Sequence, residues 1–560
     1  MKPDVRITRL SFSDGTAIEL GRNDVVVIVG ANNAGKSATL RAIAEKLDDS
    51  NESNPVVRAI SFKREGTLKE LIVWLEATTR RDISYGDYFS RFDKQISRSN
   101  VAMLWEKQDS IGSLSGFFCC ILNAEERLKA ANPPDSIAIA TDPLRHPIHV
   151  LQWDDSEEKR ISDLFKRAFG TGIVVHRHAG KVVPILIGNE PPCPAGKDRH
   201  SIEYVRELSK LPRAHDQGDG MRSFLGVLLF TALGAEPILL IDEPEAFLHP
   251  PQARHLGHFL VTETGSDRQI FVATHSGDVL RGMLNSEDQR VRVIRLRREG
   301  DRNIARQLVN SQVAQVWSDP LLRHSNILDG LFHERVIVCE SDSDCRFYSA
   351  VADATFETDA GKGRRPDVMF THSGGKARLA LIIRSLRDLD VPISVVTDFD
   401  VLNAESPLKE IVEAAGGNWR SLKSDWNIVR TAIDNKKPEL NLAEVRNNIE
   451  NALQSVKGYT LTETAKKQIQ DTLRASSPWS TAKSVGRAFI PNGDASQAAD
   501  RLLLALEAIG VFVVPVGELE QFVKVEGGHG PAWVTNALKR DLKADPQLEA
   551  ARQFVHKIVI

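Results

Sequence analysis

The sequence predicts an α/β protein of two successive units, each interrupted by a helical insertion, and three observations carry that prediction. Its 560 residues exceed the size at which a single hydrophobic core keeps growing. An apolar β-branched run, Val25 to Val29, leads through a glycine-rich turn into a helical pattern. A second series of short apolar strands, opening at Arg335 to Cys339, alternates with helical patterns in the C-terminal half.

Composition bounds the class. With 42% hydrophobic and 26% charged residues the chain sits near the averages of folded domains, which excludes a disordered or fibrous protein. A formal net charge of -3 means that any nucleic-acid contact comes from a local basic surface and not from a global field. Met1-Lys2-Pro3-Asp4-Val5-Arg6 lacks the basic-then-apolar run of a signal peptide, and no uninterrupted apolar stretch reaches the roughly 18 residues of a membrane span, so a cytoplasmic protein without membrane contact is expected. The five cysteines, Cys119, Cys120, Cys193, Cys339 and Cys345, are odd in number and lack C-x-x-C spacing. Reduced, structural thiols are expected in place of a disulfide framework or a zinc site.

In chain order, Val5 to Phe12 and Ala17 to Leu20 read as strands around an Asp14-Gly15 turn, Val25 to Val29 as a buried strand and Lys36 to Leu47 as a helix. Ser61 to Thr79 reads as strand, including Leu71-Ile72-Val73-Trp74-Leu75-Glu76-Ala77. Helical patterns run from Arg91 to Lys129 and from Ser156 to Phe169, giving an insertion at about 90–170. The proline- and glycine-rich stretch Gly188 to His200 is a loop, and a linker is expected near Gln312 to Gly330. Past it, strands are expected at Val336 to Cys339, Val368 to Thr371, Ile393 to Thr397 and Val511 to Pro515, the last delayed by a helical insertion at about 405–500. The domains are therefore 1–325 and 326–560.

Gly30-Ala31-Asn32-Asn33-Ala34-Gly35-Lys36-Ser37 fits G-x-x-x-x-G-K-[ST]. In such a loop, backbone N–H groups wrap the phosphates, the lysine reaches the β and γ oxygens and the hydroxyl binds Mg²⁺. The expected ATP site comprises Gly30, Asn32, Asn33, Ala34, Gly35, Lys36, Ser37 and Ala38 together with Asp242. Ile238-Leu239-Leu240-Ile241-Asp242-Glu243 is an apolar strand ending in two acids; Asp242 joins Ser37 in the Mg²⁺ shell and Glu243 orients or deprotonates the attacking water. Ile270 to Ser276 delivers His275 to the same sheet edge, where a γ-phosphate sensor belongs. Any one of these has a bland explanation, a chance turn or an acidic strand end; together they point to nucleotide hydrolysis.

In the second unit, Val336-Ile337-Val338-Cys339-Glu340-Ser341-Asp342-Ser343-Asp344 ends a strand on a glutamate and an acidic turn, and Val395-Val396-Thr397-Asp398-Phe399-Asp400 ends another on D-x-D. Acids at the carboxyl ends of neighbouring parallel strands converge on one point. Convergent carboxylates need compensation, and a divalent metal supplies it, Mg²⁺ or Mn²⁺ for phosphodiester hydrolysis. Taken singly, each acid would be a solvated strand end or a helix cap.

The first set, with Pro244-Glu245-Ala246-Phe247-Leu248-His249-Pro250 and Thr274-His275-Ser276, resembles the ABC-type P-loop ATPase heads of SMC proteins and of the OLD (overcoming lysogenization defect) family. Asp216 to Ser223 stands in the signature position but departs from Leu-Ser-Gly-Gly-Gln. The second set resembles a TOPRIM domain, with Glu340 as first-strand glutamate, Asp398 and Asp400 as D-x-D, Ser373-Gly374-Gly375-Lys376 as the glycine turn bearing a catalytic lysine, and Gly517-Glu518-Leu519-Glu520 as the segment supplying acids for a second metal. The resemblance implies metal ligands at Glu340, Asp344, Asp398, Asp400, Glu518 and Glu520, and catalytic roles for Glu243, His275, Glu340 and Lys376. It further implies an ATP-hydrolysing, metal-dependent endonuclease on double-stranded DNA, in antiphage defence or DNA processing. A homo-oligomer through the ATPase heads is implied, and a helicase or other defence protein is admitted as partner. With only 5 Tyr and no zinc spacing, topoisomerase and primase chemistry are the less simple readings. The rival is an SMC-like DNA-binding or repair ATPase whose second domain binds a partner and cuts nothing.

Overall fold

The computed structural model describes residues 3–560 apart from 49–53, 83–86, 92–93, 108, 139–141, 143, 235, 266, 287, 301, 309–325, 358–364, 437–441, 457 and 475–477. The chain divides into two compact units, Met1–Ser318 and Asp319–Ile560. Most of the linker expected near Gln312 to Gly330 lies outside the described residues, and its end forms the 3-10 turn Ile327–Phe332.

The first unit contains β1 (Asp4–Phe12), β2 (Ala17–Glu19), β3 (Val25–Val29), β4 (Val57–Glu65), β5 (Arg80–Asp82), β6 (Tyr88–Arg91), β7 (Lys94–Ser97), β8 (Cys119–Leu122), β9 (Ile173–Val175), β10 (Ile185–Ile187), β11 (Ile238–Asp242), β12 (Gln269–Ala273), β13 (Val291–Glu299) and β14 (Arg302–Gln307). Its main sheet runs β14-β13-β3-β12-β11-β8. All neighbours are parallel except β13 with β14. All five residues of β3 are buried, the uniform burial of a strand covered on both faces. Beside it stands an antiparallel sheet β2-β1-β4, whose β1 alternates buried and half-buried positions.

Two expectations here are corrected. The strand expected through Thr79 ends at Glu65, and Leu68–Thr78 is a helix. Thr67 caps it by accepting from Glu70 N while the Glu70 carboxylate accepts from Thr67 N, a capping box. Leu71, Trp74 and Leu75 then bury one helical face, so capping and 3.6-residue spacing override the β preference of Ile72 and Val73. The helical reading of Arg91 to Lys129 misses β7 and β8. Strand β8 pairs parallel with β11, so residues 119–122 belong to the main sheet and not to an insertion. Phe117-Phe118-Cys119-Cys120-Ile121-Leu122 is a short apolar run whose periodicity does not separate strand from helix.

The second unit contains β15 (Arg335–Cys339), β16 (Val368–His372), β17 (Ile393–Thr397) and β18 (Val511–Val513), all parallel, in the order β16-β15-β17-β18. The helices Asp342–Glu357 and Leu379–Asp388 make the first crossovers, and among the described residues six α-helices between Glu405 and Ala508 separate β17 from β18. Phe347, Tyr348, Trp533, Phe554 and Val555 pack against Ile337 and Val396 in its core. Among the described residues no helix is long and apolar enough to cross a membrane. All five cysteines are free thiols, four buried and Cys193 exposed.

Candidate functional site

Strand β3 delivers the loop Gly30–Ser37 to the N-terminus of the helix Lys36–Asp48. Gly30, Asn33 and Gly35 have φ of 151°, 63° and 96°, and at Gly30 a Cβ would meet Leu296 O at 2.2 Å. The loop thus requires glycine for both conformation and space. Asn303 Nδ2 donates to Ala34 O at 2.8 Å and braces the loop from β14. The Lys36 ammonium donates to Gly30 O and Ala31 O at 2.9 and 3.0 Å, inside the curve where phosphate oxygens would lie.

Ser37 Oγ donates to Asp242 Oδ1 at 2.8 Å, which brings the loop and the end of β11 together. Burial raises the Asp242 carboxyl, and the neighbouring Glu243 charge adds to it, so a cation here is favoured. Glu243 itself adopts φ 47°, a conformation an L-residue holds only when its surroundings enforce it. Arg127 enforces it. Fully buried, it donates to Glu243 O at 2.9 Å, Leu122 O at 3.2 Å and Ser223 Oγ at 3.0 Å, and also to Asp242 O. Glu245 accepts from Thr274 Oγ1 and from His275 N, both at 2.8 Å, and His275 Nδ1 lies 3.1 Å from Glu245 and 3.4 Å from Glu243. Gly220, in the expected signature segment, packs so closely that a Cβ would meet Phe247 O at 2.6 Å. Asn32 and Ala38 stand on the loop and first helical turn as expected.

In the second unit, Glu340 leaves β15, Asp398 leaves β17 and Glu518 follows β18, all at the carboxyl edge of the parallel sheet. Glu340 Oε1 accepts from Asp398 N at 3.0 Å. Lys376 Nζ binds Asp400 and lies 3.9 Å from Glu340 Oε2. Lys483 Nζ lies 3.0 Å from Asp398 Oδ2 and 3.8 Å from both Asp400 Oδ2 and Glu518 Oε2. Burial and then the Asp398 charge push Glu340 up to about 7, and the same two causes, opposed by Ser341, push Asp344 up to about 6. Burial also raises Asp398 and Glu518. On Lys483 burial works the other way, but Asp398, Asp400 and Glu518 outweigh it and hold the ammonium protonated beyond its usual range. A set of carboxylates raised first by burial and then by one another's charge fits a divalent cation, with oxygen donors of the kind Mg²⁺ and Mn²⁺ take.

The expected residues do not all take equal parts. Asp344 Oδ2 accepts from Ser341 N and Oγ at 2.8 and 2.9 Å, so it also caps its own turn. Glu520 Oε1 accepts from Gly530 N at 2.8 Å and faces His529. Glu518, Glu520 and His529 each bring a ligand atom within 4.8 Å of the others. Sequence reasoning missed Arg127, Lys483 and His529. Arg127 lies in a stretch read as insertion, Lys483 in the second insertion, and Gly-Gly-His-Gly at 527–530 is a glycine-rich turn that carries an imidazole.

Residues 123–281 match the family described as "AAA domain, putative AbiEii toxin, Type IV TA system", a span that holds Arg127, Asp242, Glu243 and His275. Over 173 residues, 30% of this chain, the sequence is 24% identical to the Old nuclease of Escherichia phage P2, and the match spans 28% of that protein's length. The chain is also similar in structure to an Smc head bound to the C-winged helix domain of ScpA, with a TM-score of 0.34 and 13% identity over 55% of this chain and 99% of that one. The loop and strand-end geometry and the family match support a P-loop ATPase fold in the first unit. Over 92 residues, 16% of this chain, the sequence is 32% identical to the uncharacterized protein MJECL11 of Methanocaldococcus jannaschii and covers 81% of it; over that segment the chain belongs to the same family as MJECL11.

Proposed function

We propose that the chain is an ATP-hydrolysing, divalent-metal-dependent DNA endonuclease of the OLD type, acting in antiphage defence or DNA processing. The observation that carries this reading is the gathering of Glu340, Asp398, Asp400 and Glu518 around Lys483 and Lys376 at one sheet edge. Similarity to a protein named Old nuclease supports it.

In the ATPase unit, Lys36 would turn from the loop carbonyls to the β and γ phosphates, Ser37 and Asp242 would hold Mg²⁺, Glu243 would take a proton from the attacking water and His275 would sense the γ-phosphate. In the second unit, which on this reading is a TOPRIM domain, Glu340, Asp398, Asp400, Glu518 and Glu520 are the metal ligands, with Asp344 beside them. The bound metal would activate water and neutralise charge on a phosphodiester. Lys376 and Lys483, both already drawn to the acids, supply further positive charge to the scissile phosphate. Double-stranded DNA is the substrate, and a second copy of the chain joins through the ATPase head.

A nuclease assay on plasmid DNA with Mg²⁺ or Mn²⁺, run with and without ATP, tests this and shows whether ATP licenses or restrains cleavage. Glu243→Gln should stop ATP turnover, and Asp398→Ala should stop cleavage while ATP turnover continues. Strand scission that survives Asp398→Ala sinks the site assignment. DNA and ATP binding with no scission under any metal would instead favour the SMC-like reading.

A further inference from the structure

The loop after β18 carries a nitrogen donor that the strand-end acids do not call for. His529 Nδ1 stands 3.5 Å from Glu520 Oε1 and 3.9 Å from Glu518 Oε1. Both separations are too long for a good hydrogen bond. Both fall inside the span open to donor atoms that share one ion: ligands each about 2.1 Å from a metal lie from roughly 3.0 Å apart at a right angle to about 4.2 Å apart when opposite. The two carboxylates are 10% and 14% exposed and the imidazole is 74% exposed, so an ion arriving from solvent meets the ring first.

The loop that presents His529 is tied at several points. Gly530 N donates to Glu520 Oε1 at 2.8 Å, Asn536 Nδ2 to Glu526 O at 2.8 Å, and buried Trp533 Nε1 to Val523 O at 3.2 Å. Gly527, at φ 122°, comes so close to Ala532 and Trp533 that a Cβ would meet their backbone at 3.0 to 3.1 Å. On the far side Glu518 Oε2 faces Lys483, and Gln521 Nε2 donates to Glu518 Oε1 at 3.3 Å. Glu518 therefore belongs to two sets, one balanced by lysine and one completed by histidine.

We infer that His529 is a metal ligand, and that with Glu518 and Glu520 it makes a site selective for a first-row transition ion, with Mn²⁺ as the probe, over Mg²⁺. The inference rests on the metal-dependent reading above. Its chemistry is that of the donor set: Mg²⁺ keeps to oxygen ligands and retains its waters, whereas Mn²⁺ shares the preference for carboxylate oxygen but, as a transition ion, also accepts an imidazole nitrogen.

The test uses full-length, nucleotide-free and DNA-free protein. Mn²⁺ is titrated with electron paramagnetic resonance of the free ion, and the bound ion is examined by spin-echo modulation for coupling to ¹⁴N. Wild-type protein should bind Mn²⁺ with imidazole ¹⁴N coupling. His529→Ala and His529→Gln should lose that coupling and weaken Mn²⁺ binding by about tenfold or more, by analogy with the loss seen on disturbing metal-site shells. The Mg²⁺ affinity derived from competition should stay within about twofold. Absence of ¹⁴N coupling in wild-type protein, or Mn²⁺ affinity unchanged in both variants, would leave His529 an ion-pair partner of Glu520 and overturn the inference. Histidine-coupled Mn²⁺ in a protein that fails to cut DNA would sustain this site and sink the nuclease reading alone.

Discussion

Lys483 Nζ lies 3.0 Å from Asp398 Oδ2, so a lysine carried by the helical insertion balances the acids at the sheet edge. In the metal-free protein it partly occupies the electrostatic place a cation would take. Lys483→Ala should lower the melting temperature in EDTA near pH 8 by a few degrees, because three carboxylates lose their shared counter-charge. Added Mn²⁺ should recover more in the variant than in wild-type protein. Equal Mn²⁺ gains in a calorimetric scan would argue against charge compensation.

The raised Glu340 and Asp344 carboxyls set a pH dependence with a definite sign. Their folded values, about 7 and about 6, exceed the ordinary 4.5 and 3.8, so protonation favours the fold. That stabilisation is complete below about pH 4 and is lost as pH rises through about 6 to 7, on the order of 3 kcal/mol for Glu340. Metal-free protein should therefore lose stability between about pH 4 and about pH 7, and Mn²⁺ should restore it at the upper end. Denaturant titration in EDTA checks this; stability that climbs steadily over the interval contradicts it.

Two glycines hold Lys483 in position. At Gly517, φ 111°, a Cβ would meet Lys483 O at 2.1 Å, and at Gly486, φ 67°, it would meet Pro515 O at 2.2 Å. Gly517→Ala must push the insertion off the acids. Metal-dependent cleavage is expected to fall by more than tenfold, since misplacement of about 1 Å costs on the order of a hundredfold, with ATP turnover retained. Parallel ATPase and nuclease assays decide whether the loss is confined to one unit.

Arg127 is the corresponding test in the ATPase unit. Arg127→Met removes a buried guanidinium that donates to Leu122 O, Asp242 O and Glu243 O, leaving those carbonyls underserved at about 1 to 3 kcal/mol each at most. ATP turnover should drop at least tenfold as Glu243 leaves its φ 47° conformation, whereas nucleotide binding through Lys36 persists. Fluorescent-nucleotide binding that vanishes along with turnover would show that Arg127 supports the whole unit and not the β11 turn.

Features set by neighbouring residues are legible in the sequence itself. Gly30, Gly35, Lys36 and Ser37 announce a phosphate loop because a backbone turn and a helix N-terminus are built from adjacent residues. Val25–Val29 and Ile393–Thr397 form strands with the expected bounds, since runs rich in β-branched residues favour a pleated, covered strand. The ends of these strands predict where acids collect. Leu71–Ala77 misled because a capping box at Thr67 and Glu70 and the burial of Trp74 outweighed local β preference.

Only the tertiary structure decided which partners those groups meet. Ser37 joins Asp242, Arg127 grips the Glu243 turn, Lys483 reaches Asp398 and His529 faces Glu520 because separate segments pack side by side. Each partner lies outside the reach of helical or strand periodicity. Its choice depends on where a chain that first leaves the site, through β8 or through the helices before β18, is brought back by burial of its apolar faces.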